Sequence, residues 1–303
     1  MPVTPLRRSV LYVPGANERA VAKARALPVD AVIFDLEDAV APPAKAAARD
    51  RVAAAVGSGA YGGRELAIRV NGIGTAWHDA DLRAAALAAP DAVVVPKVGA
   101  AADVQAVEAA LEAAGAPDRT RIWAMIETPL AVLHAEEIAR ASERLTVLVL
   151  GTNDLAHELH AGLGPSETLV PTEGEAPGPG RQPLLVALQL CLLAGRSAGR
   201  VVLDGVFNDV TDPAGFEAEL QQARRLGFDG KTLIHPSQVE VCNRVFSPDA
   251  AAIGWARRVV TASEEAAREG LGVTVVDGRM VEQVHLVRAR RVLELAEAAE
   301  RRR

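Results

Sequence analysis

Cysteine is nearly absent from the 303-residue chain: Cys191 and Cys242 stand alone, with no Cys-x-x-Cys spacing. That excludes a disulfide framework and a thiolate metal site, and it fits a reducing compartment. Positive charge is not in excess either. The net charge of -6 and a pI near 5.6 argue against a nucleic-acid surface, although individual Arg and Lys residues can still hold a small anion. Long apolar runs are missing, because the hydrophobic stretches are Ala-rich or broken by charge and none reaches the ~20 residues of a membrane helix. The opening LRRSVLYVPG carries two arginines, but its apolar run ends at Val13, too short for an export signal, so a cytoplasmic location without membrane contact is expected. No Gly-rich dinucleotide fingerprint follows the first apolar run. The histidines lack metal spacing: His157 and His160 lie three apart in HELH, not in HExxH. No internal repeat is visible beyond an alternation of strand and helix.

Half of the chain is apolar and a quarter charged, enough for a large core in one or two domains. Short β-branched runs bounded by Gly, Pro, Asn or Asp predict strands at 10–13, 31–35, 66–70, 92–95, 122–126, 145–150, 201–206 and 232–234. Helical patterns fall between them at 18–27, 44–56, 80–88, 102–114, 130–144, 184–198 and 216–226. The strands show little polar alternation, as expected where both faces of a parallel sheet are covered. Eight strands alternating with helices predict an α/β fold, a (β/α)8 TIM barrel, which typically takes ~250 residues. The barrel domain is expected over 1–246. A C-terminal extension over 247–303, with helices at 249–269 and 281–300 around a short strand at 273–276, then caps the barrel or a neighbouring subunit. Residues 162–182 are dense in Gly and Pro and predict a surface loop, read either as a lid over the rim or as a tolerated insertion.

The stretch from Arg121 to Leu155 organises the rest. Two apolar runs each end next to a carboxylate, Glu127 and Asp154, with a helical pattern between them. In a strand, helix, strand unit the parallel strands carry their C-terminal ends to one rim, so the two acids are expected side by side. Adjacent carboxylates repel unless a proton or cation lies between them, and oxygen ligands without His or Cys favour a hard ion such as Mg2+. Thr128 and Pro129 already supply an N-cap and first-turn pair for the next helix, which leaves Glu127 available.

Catalytic groups of such barrels sit where strands end. Those positions hold Asp35, Glu37 and Asp38 in FDLEDAV, Arg69 and Asn71 in IRVNG, Lys97 in VVVPKV, and also Asp204 and His235. Arg69 can bracket a carboxylate with two parallel hydrogen bonds or pair with the acids of the neighbouring strand. Lys45 and Arg49 are the nearest basic residues in sequence to neutralise the FDLEDAV acids. In PGANER, Asn17, Arg19 and Lys23 at the start of the first helix could cradle a phosphate, or be ordinary surface groups. Lys97 could form a Schiff base or bind an anion. Lys231 precedes its expected strand, at the opposite rim, and reads as structural.

Together RRSVLYVPGANER, FDLEDAV, IRVNG, VVPKV, MIETP, LGTNDL, LDGVF, GFDGKTLIHPSQV and DGRMVE span nearly the whole length. In that order they resemble the citrate lyase β-subunit-like CoA-ester lyases, relatives of malyl-CoA lyase in the HpcH/HpaI aldolase group. The resemblance implies Mg2+ held by Glu127 and Asp154, Arg69 on the carboxylate of a 2-keto acid, and Glu37 and Asp38 ordering water on the metal. It also implies substrate contacts from Glu127, Tyr12, Asn17, Arg19 and Lys23, the last three toward coenzyme A, and assembly as a homotrimer or dimer of trimers. An Asp in the C-terminal tail of the family acts as acid or base in a neighbour's site. Here the matching position is Glu282, followed by Gln283 and Val284. The extra methylene moves the carboxylate by about 1.5 Å, which bears on reaction rate and substrate choice.

The implied activity is a Mg2+-dependent retro-Claisen cleavage of a 3-hydroxyacyl-CoA, such as citryl-, malyl- or citramalyl-CoA, to acetyl-CoA and a 2-keto acid, or its reverse. Three alternatives stand beside it: thioester hydrolysis at the same site, a metal-independent lyase using Lys97, and a catalytically weak CoA-thioester-binding subunit.

Overall fold

The computed structural model describes residues 6–161 and 181–302. Eight parallel strands close into a barrel in chain order: β1 (Ser9–Pro14), β2 (Ala31–Asp35), β3 (Glu65–Arg69), β4 (Ala92–Val95), β5 (Arg121–Ile126), β6 (Leu145–Leu150), β7 (Val201–Asp204) and β8 (Gly230–Leu233), with β8 pairing back onto β1. The crossovers carry α1 (Glu18–Lys23), α2 (Lys45–Gly57), α3 (His78–Ala88), α4 (Ala101–Ala113), α5 (Pro129–Leu133), α6 (Ala135–Ala139), α7 (Thr152–Glu158), α8 (Leu185–Ser197) and α9 (Pro213–Leu226), with α10 (Val239–Phe246) after β8. This is the (β/α)8 barrel that the alternation predicts.

Alternate residues of each strand face inward. Val10, Ile33, Ala67, Val94, Trp123, Met125, Val147, Val149 and Leu203 fill the barrel with an apolar plug. The intervening residues face the helices, so both faces of every strand are buried and the strands need no polar alternation.

Two local departures have physical causes. The helical pattern at 130–144 breaks into α5 and α6 at His134, whose backbone leaves the helical region (φ -100°, ψ 11°) while its ring bonds the Gly99 carbonyl at 3.1 Å. The short helix α7 is not among the helical patterns, although Thr152, Asn153 and Asp154 are residues suited to a helix N-terminus, and they form its first turn. Of the expected loop at 162–182, only Arg181 and Gln182 lie within the described residues.

The described chain divides into two compact units, residues 7–242 and a second formed by Leu6 with residues 243–302. In the second, α11 (Ala250–Arg268) packs on α12 (Gln283–Glu300), and a hairpin of β9 (Thr274–Val276) and β10 (Arg279–Val281) lies between them in sequence. Its own small core is Ala256, Val259, Val276, Val281 and Ala289. Among the described residues no helix is long and apolar enough to cross a membrane.

Candidate active site

The C-terminal ends of the strands surround a cavity of about 440 Å³. Tyr12 and Met125 face into it from below, Asp35, Asp38 and Arg69 stand on one side, and Glu127 and Asp154 line it together. Leu150, Val206 and Ile234 make part of the wall apolar.

Glu127 follows β5 directly. Thr128 caps α5 through Ala131 N–H at 3.1 Å with Pro129 in the first turn, so the helix makes no demand on the Glu127 carboxylate. That carboxylate is 1 % exposed, and Oε1 accepts the Lys97 backbone N–H at 2.7 Å. Lys97 holds a left-handed backbone (φ 53°) at this point. Glu127 also packs flat on Gly151, where any Cβ would overlap its Cβ and Oε2. Glycine in LGTNDL is therefore required by the carboxylate beneath it. Burial, with the nearby charges of Asp154 and Glu37, pushes the Glu127 carboxyl up to about 8, against the lowering effect of the Lys97 N–H.

Asp154 sits in the first turn of α7 and makes no hydrogen bond or ion pair with any described residue. Two carboxylates thus converge on one cavity with oxygen left to offer: Oε2 of Glu127 and both oxygens of Asp154. Among the described residues no group of three or more His, Cys, Asp or Glu is arranged for a metal. A two-carboxylate, oxygen-only set fits Mg2+, which keeps several waters and commonly takes one or two protein carboxylates plus its substrate. His157 and His160 are exposed, and the ring of His235 is engaged with Ser237 at 2.7 Å.

Arg69 ends β3 in register with Asp35 at the end of β2. Its Nε and Nη2 donate to the two Asp35 oxygens at 2.7 Å each, and Nη1 meets Glu37 at 2.9 Å and Asp38 at 3.6 Å. The sequence left a choice between ion pairing and substrate recognition for Arg69, and the ion pair is present. Burial, with the neighbouring acids Asp38 and Asp35, raises the Glu37 carboxyl to about 7 despite the Arg69 charge. Lys45 and Arg49 do not neutralise these acids. Lys45 Nζ bonds the carbonyls of Leu36 and Glu37 at 2.9 Å each, and Arg49 pairs with Asp81 at 2.6 Å, because α2 runs past the backbone of this loop and toward α3.

Other rim candidates turn out to be structural. Asn71 is tied to Asp81 and to the Leu36 carbonyl. Asp204 points outward into a buried ion cluster with Lys231 at 2.7 Å and Arg181 at 2.6 Å, joined by Glu219 on α9. Lys231 lies within β8, not before it. The side chain of Lys97 is exposed and is not part of the cavity lining. Asn17, Arg19 and Lys23 are also exposed and outside the lining; Asn17 caps α1 through Ala20 N–H. Glu282 is exposed at the head of α12, in the second compact unit.

Sequence reasoning did not find the stacking of Arg69 on the Tyr12 ring, 4.9 Å from the centroid, nor the amide pair of Asn153 and Asn208 across the cavity mouth. Strand parity could have found the first, since Tyr12 on β1 and Arg69 on β3 point inward from alternate strands, with β2 between them.

A closed parallel barrel with acids and one arginine gathered in a cavity at the C-terminal rim defines the class of (β/α)8 barrel enzymes. Comparison with known proteins narrows this. The profile of the HpcH/HpaI aldolase/citrate lyase family matches residues 8–236, and the chain belongs to that family. A (3S)-malyl-CoA thioesterase of Cereibacter sphaeroides is 50% identical over 291 residues, covering 96% of this chain and 95% of the relative. The citrate lyase subunit beta of Escherichia coli K12 is 40% identical over 299 residues, covering 97% and 94%. Among solved structures, the protein CitE from Mycobacterium tuberculosis in complex with magnesium, acetoacetate and coenzyme A superposes with a TM-score of 0.74 at 31% identity, covering 95% of this chain and 97% of that one.

Proposed function

We propose that this chain is a Mg2+-dependent enzyme acting on a short 3-hydroxyacyl-CoA of the malyl type, and that it breaks the carbon–carbon bond to give acetyl-CoA and a 2-keto acid. The observation that carries the reading is the convergence of Glu127 and Asp154, neither consumed by an ion pair among the described residues, in one cavity with Arg69. Glu127 and Asp154 would hold the ion. Bound there, Mg2+ supplies a Lewis acid that lowers the pKa of the substrate hydroxyl.

The protein's own groups do the rest. Arg69 uses three of its five N–H donors on Asp35 and Glu37, and those remaining on Nη1 and Nη2 orient the acid end of the substrate. Glu37 stands just behind the cavity lining, on Arg69 at 2.9 Å, and with its carboxyl near 7 would take the hydroxyl proton through an intervening water at neutral pH. As the carbonyl of the keto acid forms, the C–C electron pair passes to the thioester as an enolate. A carboxylic acid then protonates that carbon, and Glu282 supplied by another copy is our assignment for it. Exposed Arg19 and Lys23, beside Asn17, would meet the phosphates of coenzyme A. Oligomerisation as a homotrimer or dimer of trimers is supported by apolar side chains left exposed on α5 (Leu130, Leu133) and α8 (Val186, Leu190, Leu193). A cytoplasmic location goes with this reading.

Likeness to the Cereibacter thioesterase at 50% favours a second outcome at the same site, hydrolysis. Water would then add to the thioester carbonyl, the C–S bond would break, and free CoA thiol and malate would leave. A Schiff-base route through Lys97 would need its exposed side chain, which does not line the cavity, to turn inward.

One experiment separates these readings: (3S)-malyl-CoA with Mg2+, assayed in parallel for glyoxylate and for free thiol. Glyoxylate without thiol supports cleavage, and thiol with malate supports hydrolysis. If malyl-, citramalyl- and citryl-CoA release neither their 2-keto acid (glyoxylate, pyruvate and oxaloacetate in turn) nor free thiol, both are wrong.

A further inference from the structure

Tyr12 lies on the inward face of β1, above Val10 in the barrel, and its ring carries the Arg69 guanidinium at 4.9 Å. Among the described residues its hydroxyl has a single partner, the Met125 thioether at 3.8 Å. Sulfur is a weak acceptor. Tyr12 is half-buried and lines the cavity, so its hydroxyl faces whatever fills that cavity and is not committed to a strong protein acceptor. Phenylalanine would fill the same space and keep the same stack on Arg69, so packing does not account for the oxygen. Burial, with Asp35, Glu127 and Glu37 nearby, holds the phenol protonated in spite of the Arg69 charge. The group is therefore a donor and not a base.

Arg69 needs help in this position. Three of its N–H groups are taken by Asp35 and Glu37, so it can no longer present its side-on fork to a ligand, and acids outnumber basic groups in the cavity lining. A neutral O–H next to the guanidinium adds a second arm for an anion without a further countercharge.

We propose that the Tyr12 hydroxyl donates a hydrogen bond to the carboxylate of the bound 2-keto or 2-hydroxy acid, beside Arg69. The assignment rests on the reading of the cavity as a Mg2+-dependent hydroxy-acid site and specifies which group recognises the acid end. It applies equally to cleavage and to hydrolysis, because both begin from the same bound acid.

The test is calorimetric titration of pyruvate, with saturating Mg2+, into the full chain and its Tyr12→Phe and Glu127→Gln variants, with thermal melts of each. Tyr12→Phe is expected to weaken pyruvate binding by on the order of 10- to 100-fold, the effect of losing a hydrogen bond to a charged group, with no loss of melting temperature. Unchanged pyruvate affinity in Tyr12→Phe, while Glu127→Gln abolishes binding, overturns the Tyr12 role and leaves the site standing. A lowered melting temperature with unchanged affinity also overturns it, by showing that the hydroxyl supports the fold. Absence of Mg2+-dependent pyruvate binding in the wild-type chain overturns the reading of the cavity and the Tyr12 role with it.

Discussion

Replacing Glu127 by Gln should make the ion-free protein more stable at alkaline pH while abolishing its response to Mg2+. The cause is the raised Glu127 carboxyl. Its folded-state value near 8 lies above the ordinary 4.5, so the folded chain binds this proton more tightly than the unfolded one. The resulting stability is fully present below pH 4.5 and is lost as pH rises through about 8. At 1.36 kcal/mol per unit, that interval sets a ceiling of about 5 kcal/mol, and relaxation of the cavity brings a realistic value to about 3 kcal/mol. Gln keeps an acceptor for the Lys97 N–H and cannot ionise. Melts in EDTA should therefore show the two proteins close together near pH 4.5 and the variant higher at pH 9, by roughly 6–12 °C for a domain of this size. Saturating Mg2+ should then stabilise the wild type at pH 9, by about 2.7 kcal/mol at one hundred times its Kd, and leave the variant unmoved. Parallel pH curves in EDTA, or equal Mg2+ responses, would refute the argument.

Four further outcomes follow from the geometry. Gly151→Ala drives a methyl group into Glu127, and should remove metal-dependent activity by at least about 100-fold while the fold persists, checked by turnover and circular dichroism. Lys97→Gly keeps the N–H to Glu127 and relieves a left-handed backbone, so stability should rise by about 0.5–1 kcal/mol; borohydride with pyruvate should trap no adduct on the wild type. Asp35→Asn leaves the buried Arg69 without its bidentate partner and should cost about 3–5 kcal/mol in urea denaturation. Glu282→Asp, measured by steady-state kinetics, should change kcat with little change in KM, since the carboxylate is assigned to proton transfer and not to binding.

Much of this protein can be read in its sequence. The strands are legible because each is a short β-branched run closed by Gly, Pro, Asn or Asp, and a barrel buried on both faces leaves that signal undiluted. Glu127 stands out because Thr128 and Pro129 leave it unemployed. Register is harder to read. That Asp35 and Arg69 are the final paired residues of adjacent strands is what turns them into an ion pair, and only the parallel alignment of β2 and β3 shows it. The same holds for Lys231, whose buried partners Asp204 and Glu219 come from a neighbouring strand and a helix distant in sequence. Lys45 and Arg49 were misleading for the opposite reason: they are close in sequence to the acids of FDLEDAV, but helix geometry turns them to backbone carbonyls and to Asp81. The short helix α7 was legible only at its start, where Thr152, Asn153 and Asp154 suit a helix N-terminus, because seven residues are too few to show a helical period.

The central claim is that Glu127 and Asp154 hold one divalent ion at the barrel rim. Titration with Mn2+ followed by electron paramagnetic resonance tests it directly, on the wild type and on Glu127→Gln and Asp154→Asn. The account predicts one bound ion per wild-type chain, displaced by Mg2+, and none at the same affinity in either variant. Undiminished Mn2+ binding in both variants would contradict it.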